Sequence, residues 1–210
     1  MPVIKSSNIL AEHWLSIARE KSTTSQLFRT AIETIGMILF FESIKEMNGL
    51  TKKRVIKTPL KQMYANFVEE KSIYLVPILR AGLGMLTGIK NVIPQAKVAH
   101  VGLYRSEETL QPNWYLDKLP KKISKHSVFF VLEPMLATGG TISTVLERIQ
   151  SVGVKKIYVI GVLMSKHAKN KLERKFPDVS FRVAGIDPDL NSRGFIVPGL
   201  GDAGDRTFNM

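Results

Sequence analysis

From residue 73 onward, short apolar runs alternate with segments whose apolar positions recur every three or four residues. The runs 73–79, 98–103, 128–132, 157–163 and 181–186 predict strands, and the segments 83–92, 142–151 and 166–175 predict helices. Residues 128–132 are apolar at every position, as expected of a parallel strand covered on both faces. The alternation predicts an α/β fold, a mainly parallel sheet flanked by helices. Upstream, residues 9–47 read as helical, with Leu27, Phe28, Ala31, Ile32, Ile35, Ile38 and Leu39 in one stripe after the capping candidates Thr24 and Ser25. The pattern weakens over 49–70, where 54–58 reads as a strand broken by Pro59, and a small peripheral hairpin is expected there. Residues 105–125, with Pro112 and Pro120 among many polar positions, interrupt the rhythm between two strands and read as a lid loop. With no linker and no internal repeat, 1–210 is expected to form a single domain.

Composition narrows the picture only in places. A chain of 210 residues, 44% hydrophobic, can bury a full core without staples. It has no cysteine, which excludes disulfides, thiolate metal sites and thiol nucleophiles. No signal-peptide pattern opens the chain and no apolar run approaches a membrane span, so a cytoplasmic protein is expected. Thirty lysines and arginines against 18 acids give a net charge of +12, enough to steer anionic ligands. The charge is dispersed, however, and the cluster Lys166, Lys169, Lys171, Arg174, Lys175 reads as the solvated face of a helix that buries Ala168, Leu172 and Phe176.

Candidate chemistry sits where strands end. Glu133 follows the run 128–132, at the carboxyl end where open α/β sheets bind ligands. Pro134, Met135, Leu136, Ala137, Thr138, Gly139, Gly140 and Thr141 then lead into a helix. Free N–H groups and the positive end of the helix dipole suit a phosphate dianion there, and the glycines admit close backbone approach. The run 73–79 repeats the design with Arg80, whose guanidinium offers a fork matched to phosphate oxygens. Gly82 and Gly84 lack the spacing of a dinucleotide fingerprint. A third strand end opens the lid with Arg105. The glycine-rich segment 194–206, too irregular for helix or strand, offers backbone donors and acceptors for the edge of a flat heterocycle, with Phe195 and Ile196 beside it. His13, His100, His126 and His167 lie outside all of these, so no histidine base is assigned.

The motifs at 77–85, 104–109, 133–141 and 198–206 together resemble the uracil phosphoribosyltransferase family, in order and spacing, over nearly the whole chain from about Arg19. The resemblance implies the type I phosphoribosyltransferase fold, with a small hood, and transfer of ribose 5-phosphate from phosphoribosyl pyrophosphate to uracil in pyrimidine salvage. It implies that 133–141 holds the ribose 5-phosphate with Glu133 on the sugar hydroxyls, that Arg80 and Arg105 bind pyrophosphate, and that Ile196, Gly201, Asp202 and Ala203, within a C-terminal segment 187–210, hold uracil. Asp202 would also face the ribosyl donor and is the candidate proton handler. Mg²⁺ is implied as cofactor, held mainly by substrate oxygens with no direct protein ligand assigned. Uracil and phosphoribosyl pyrophosphate are the implied partners, and a homo-oligomer, a dimer or larger, is implied. The chain departs from the family pattern at Glu133, where aspartate is usual, and at Ser192, Arg193, Gly194 and Phe195, which replace Glu-x-Gly-Tyr. Two rival readings on the same fold are an RNA-binding regulator, motivated by the charge, and a nucleotide sensor without turnover, motivated by these departures.

Overall fold

A computed structural model describes residues 3–47, 49–105 and 112–210. In chain order its elements are β1 (Val3–Lys5), α1 (Ile9–Arg19), α2 (Ser25–Lys45), β2 (Thr51–Lys57), β3 (Gln62–Val68), β4 (Ile73–Leu79), α3 (Leu83–Val92), β5 (Lys97–Val98), β6 (Val101–Arg105) and β7 (Pro112–Asp117), followed by β8 (Val128–Leu132), β9 (Met135–Leu136), α4 (Gly140–Ser151), β10 (Lys156–Ser165), α5 (Lys166–Lys175), β11 (Ser180–Asp187), β12 (Asp189–Leu190), β13 (Ile196–Val197) and α6 (Ala203–Phe208).

The main sheet runs β1-β11-β10-β8-β4-β6-β7, with β5 paired to β4 and β9 to β10; every pairing in it is parallel except β6 with β7. From β4 the chain moves to β6 on one side and then returns to β8 on the other. Strand order therefore reverses between β4 and β8, and a crevice opens beyond their carboxyl ends. Their register, Tyr74 opposite Phe129 and Pro77 opposite Leu132, brings the residues that follow both strands to that crevice.

The unbroken apolar run of β8 is explained by its two covered faces. Val128, Phe130 and Leu132 pack with Phe28, Ile32, Leu39 and Phe40 of α2 and Met85 and Ile89 of α3. Phe129 and Val131 pack with Ile142, Val145 and Ile149 of α4 and Ala168 and Leu172 of α5. Fully burying each such side chain contributes roughly 1.5–3 kcal/mol, so the two cores fix the sheet that carries the crevice. Among the described residues no helix is long and apolar enough to cross a membrane.

Four sequence expectations change. The segment 194–206, read as too irregular for helix or strand, contains β13, which pairs with β12, and the start of α6, which Asp202 caps. The helical stretch 9–47 is two helices, because the polar run 20–24 breaks it and Thr24 caps α2 by accepting from the Leu27 N–H. The strand expected over 98–103 is two short pieces, β5 and β6, interrupted at residues 99–100. Within the segment read as a lid, residues 112–117 form β7, antiparallel to β6. The rest of that lid falls partly on 106–111, which, with the Arg105 side chain, lies outside the described residues. The expected hairpin is β2–β3, a separate two-stranded sheet.

Candidate functional site

Glu133 leaves the end of β8 with its N–H bonded to the Ile160 carbonyl at 3.1 Å, and the Pro134 carbonyl accepts from Val162 and Leu163 at 2.9 Å. The chain is thus tied to β10 while its next residues turn outward. Residues 135–142, with Glu133, line a cavity of about 110 Å³. Gly139 has φ +71°, a left-handed conformation that a side chain would strain, and α4 begins at Gly140 directly behind it.

Two side chains behind this loop orient its backbone. Ser165 Oγ donates to the Ala137 carbonyl at 2.6 Å, and Lys171 Nζ donates to the Thr138 carbonyl at 3.3 Å. In a planar trans peptide the C=O and N–H point in opposite directions. Drawing these two carbonyls toward β10 and α5 turns the N–H groups of Thr138 and Gly139 the other way, to the cavity. The loop therefore presents donors at a helix N-terminus, the setting in which a phosphate is held. The basic face of α5 is solvated as expected, with Ala168 and Leu172 fully buried, but Lys171 also reaches the loop. Neither Ser165 nor Lys171 was singled out as a site residue in the sequence; both act through the backbone, and no local motif marks them.

A second cavity of about 340 Å³ adjoins the first. Its lining includes Ile196, Gly201, Asp202 and Ala203, brought together as the sequence predicts, and adds Ala81, Arg193, Phe195 and Gly204. Glu133, Met135 and Ala137 line both cavities. Desolvation at this junction pushes the Glu133 carboxyl up to about 8; the Met135 N–H pulls the other way, and the Asp202 charge adds a smaller upward push. Asp202 is the N-cap of α6 and accepts from the Asp205 N–H at 2.9 Å.

Arg80 follows β4 across the crevice from Glu133. Gly82 behind it is required by space: a Cβ there would lie 2.4 Å from the Leu132 carbonyl oxygen and 2.6 Å from the Ile78 nitrogen. Arg80 lies 3.6 Å from Asp205 and donates to the Met210 sulfur. Both partners of the ion pair are about half exposed, so the pairing is weak and an incoming anion displaces it easily.

The model of the uracil phosphoribosyltransferase family matches residues 5–210. The uracil phosphoribosyltransferase of Clostridium botulinum (strain Eklund 17B / Type B) is 42% identical over 206 residues, covering 98% of this chain and 97% of that protein. That of Synechococcus elongatus is 43% identical over 202 residues, covering 95% of this chain and 93% of the other. Among solved structures, the AQ2163 protein of Aquifex aeolicus superposes with a TM-score of 0.91 at 34% identity, covering 98% of this chain and 97% of that one.

Proposed function

This chain belongs to the uracil phosphoribosyltransferase family, and we propose from that premise that it joins uracil to ribose 5-phosphate taken from phosphoribosyl pyrophosphate, giving UMP and pyrophosphate in pyrimidine salvage. One observation carries the reading. A donor-rich, phosphate-sized cavity and a larger cavity lined by the glycine-rich loop share Glu133, Met135 and Ala137. A ligand filling both has an anionic end, a middle beside a carboxyl group and a flat polar end, the outline of a nucleoside monophosphate.

In the reaction, uracil N1 bonds to the anomeric carbon as the bond to pyrophosphate breaks, and the N1 proton must leave. Positive charge grows on the sugar and negative charge on the departing group, so rate depends on groups set in advance for each. Arg80, with its displaceable partner Asp205, and Arg105 at the end of β6 are assigned to pyrophosphate. The loop 134–141 is assigned to the 5-phosphate and Glu133 to the ribose hydroxyls. Asp202 flanks both base and sugar and is assigned the proton from N1. Ile196, Gly201 and Ala203 are assigned to the base. Backbone donors facing O4 accept uracil and oppose the amino group of cytosine.

The donor set suits Mg²⁺ as a shared rather than caged ion. Asp202 offers hard carboxylate oxygens at the larger cavity, Glu133 would offer them only as a bound cation displaces its proton, and no group of three or more His, Cys, Asp or Glu that could hold a metal occurs among the described residues. Pyrophosphate and ribose oxygens would provide most of the coordination. The ion, when bound, neutralises charge on the leaving pyrophosphate. Assembly with further copies, in the cytoplasm, belongs to the same reading: the β2–β3 hairpin leaves Val55, Met63, Tyr64 and Phe67 exposed, and an isolated hairpin of two strands is marginally stable in water.

The test is release of UMP and pyrophosphate from purified protein given phosphoribosyl pyrophosphate, Mg²⁺ and uracil, with cytosine, orotate and hypoxanthine in parallel. Turnover with uracil alone is expected. Binding of phosphoribosyl pyrophosphate without turnover of any base would overturn the enzyme reading in favour of a sensor.

A further inference from the structure

We propose that Arg19 and Arg206 are positioning residues for the nucleobase, two guanidinium brackets at the C-terminal end of α1 that set the backbone of 199–201 against the base cavity. The inference rests on the uracil reading of that cavity.

Arg19 holds the first part of the loop. Its Nη1 and Nη2 donate to the two carboxylate oxygens of Asp187 at 2.7 and 2.6 Å, and Nη1 also donates to the Gly199 carbonyl at 2.7 Å. The Gly199 N–H donates to the same Asp187 carboxylate at 2.8 Å. The Gly199 carbonyl is thus fixed by Arg19 and its N–H by Asp187, which is only 5% exposed at the end of β11. The fit leaves no room for a side chain: a Cβ at Gly199, where φ is +66°, would stand 2.0 Å from the Ile196 oxygen.

Arg206 holds the second part. Its Nη1 donates to the Leu200 carbonyl at 2.7 Å and to the Ala18 carbonyl at 2.5 Å, and Nη2 donates to the Glu20 carbonyl at 2.6 Å. The guanidinium lies 4.3 Å from the centre of the Phe28 ring, a cation–π contact that flattens it against α2. With the Leu200 carbonyl drawn to Arg206, the planar peptide turns the Gly201 N–H the opposite way. Gly201 lines the base cavity and Arg206 does not. The bracket therefore aims a backbone donor at the cavity while keeping its own charge behind the loop.

Uracil is neutral, so its recognition depends on where N–H and C=O groups point rather than on net charge. Neither bracket adds its guanidinium to the cavity, which Arg193 already lines. Here Arg19 is neutralised by Asp187, and Arg206 is spent on carbonyls, two of them at the end of α1 where the helix dipole is negative. Lysine cannot replace either: one ammonium does not span the forked set of acceptors that each arginine holds.

Arg19→Lys and Arg206→Lys test the assignment, with KM for uracil, KM for phosphoribosyl pyrophosphate and the uracil-to-cytosine preference measured for each. The expected result is a rise in KM for uracil of about tenfold or more in each variant, corresponding to roughly 1.4 kcal/mol or more of lost orientation, with KM for phosphoribosyl pyrophosphate within about twofold of wild type and the preference for uracil reduced. Equal rises in both KM values, or loss of kcat with neither KM changed, would overturn it. So would failure of both variants to fold, seen by circular dichroism and thermal melting, since the arginines would then be purely structural. If the wild-type protein shows no turnover, it is the enzyme reading that fails. Equilibrium affinities for UMP and ribose 5-phosphate then read the same split, with only UMP weakened if the brackets position the base.

Discussion

Replacing Glu133 by glutamine leaves the shape of the junction between the two cavities nearly unchanged while removing its titration. The carboxyl is raised from 4.5 to about 8 because protein encloses it and the charge of Asp202 stands near. In the unfolded chain it regains water and ionises near its ordinary value. Between those two pH values the folded protein holds a proton that the unfolded chain has released, so raising pH favours unfolding. The contribution is complete below about pH 4.5 and is lost progressively up to about pH 8, after which it is flat. At roughly 1.4 kcal/mol per pH unit, the whole swing is on the order of 5 kcal/mol, with relaxation and water entry reducing it. The Glu133→Gln protein lacks this dependence. Urea unfolding of both proteins from pH 5 to pH 9 should show their midpoints diverging, with glutamine gaining on glutamate by several kcal/mol in total and the gap levelling near pH 8. Parallel curves would refute the argument, because they would mean that Glu133 is as ionised in the fold as out of it. The variant should also lose most turnover, so a more stable and less active protein is the expected pair of results.

Three further outcomes follow from the geometry. Gly82→Ala places a methyl group against backbone atoms of both β4 and β8, and a loss of about 3 kcal/mol or more is expected in urea unfolding, together with loss of phosphoribosyl pyrophosphate binding. Lys171→Met removes the Lys171 hydrogen bond to the Thr138 carbonyl and should raise KM for phosphoribosyl pyrophosphate several-fold, about 1 kcal/mol, while KM for uracil stays within error in the same assays. Burial raises the Asp187 carboxyl, but the Arg19 hydrogen bonds, the Gly199 N–H and the Arg19 charge outweigh it and leave its pKa below the ordinary 3.8. Its contribution to stability is therefore present above about pH 3.8 and lost as pH falls below that; Asp187→Asn should narrow its deficit against wild type in acid, as read by unfolding midpoints between pH 2 and pH 6.

The parts of the site that were legible in the sequence are those in which function and fold are local. The run 128–132 announces a doubly covered strand, Glu133 stands at its end, and Gly139 caps a helix that starts at Gly140, so the loop assigned to phosphate reads directly from neighbouring residues. The segment assigned to the base stands out by Gly194, Gly199, Gly201 and Gly204, although β13 and the start of α6 form within it against the sequence reading. β7 was not legible: it opens on Pro112 between polar residues, and its pairing with β6 supplies what its own pattern lacks. The break between α1 and α2 was missed because apolar spacing on either side suggests one stripe, whereas the polar residues 20–24 decide the matter. Arg19, Asp187, Ser165 and Lys171 carry no motif at all. Their roles come from contacts with backbone carbonyls and amides distant in the chain, which neither composition nor periodicity records.

The brackets around residues 199–200 join positions 180 and 188 residues apart, Arg19 with Gly199 and Ala18 with Arg206. The loop 134–141, by contrast, follows β8 directly and is held from Ser165 and Lys171, 28 and 33 residues from their partners. Loop closure becomes more costly with separation, and distant contacts form late unless strong local order precedes them. During synthesis, the segment assigned to phosphate is complete long before the segment assigned to the base has been made. Selectivity is then the last property this chain acquires. On refolding from urea, ribose 5-phosphate binding should return in an earlier kinetic phase than UMP selectivity, so that the newly formed protein passes through an interval in which it holds sugar phosphate but does not yet discriminate between bases.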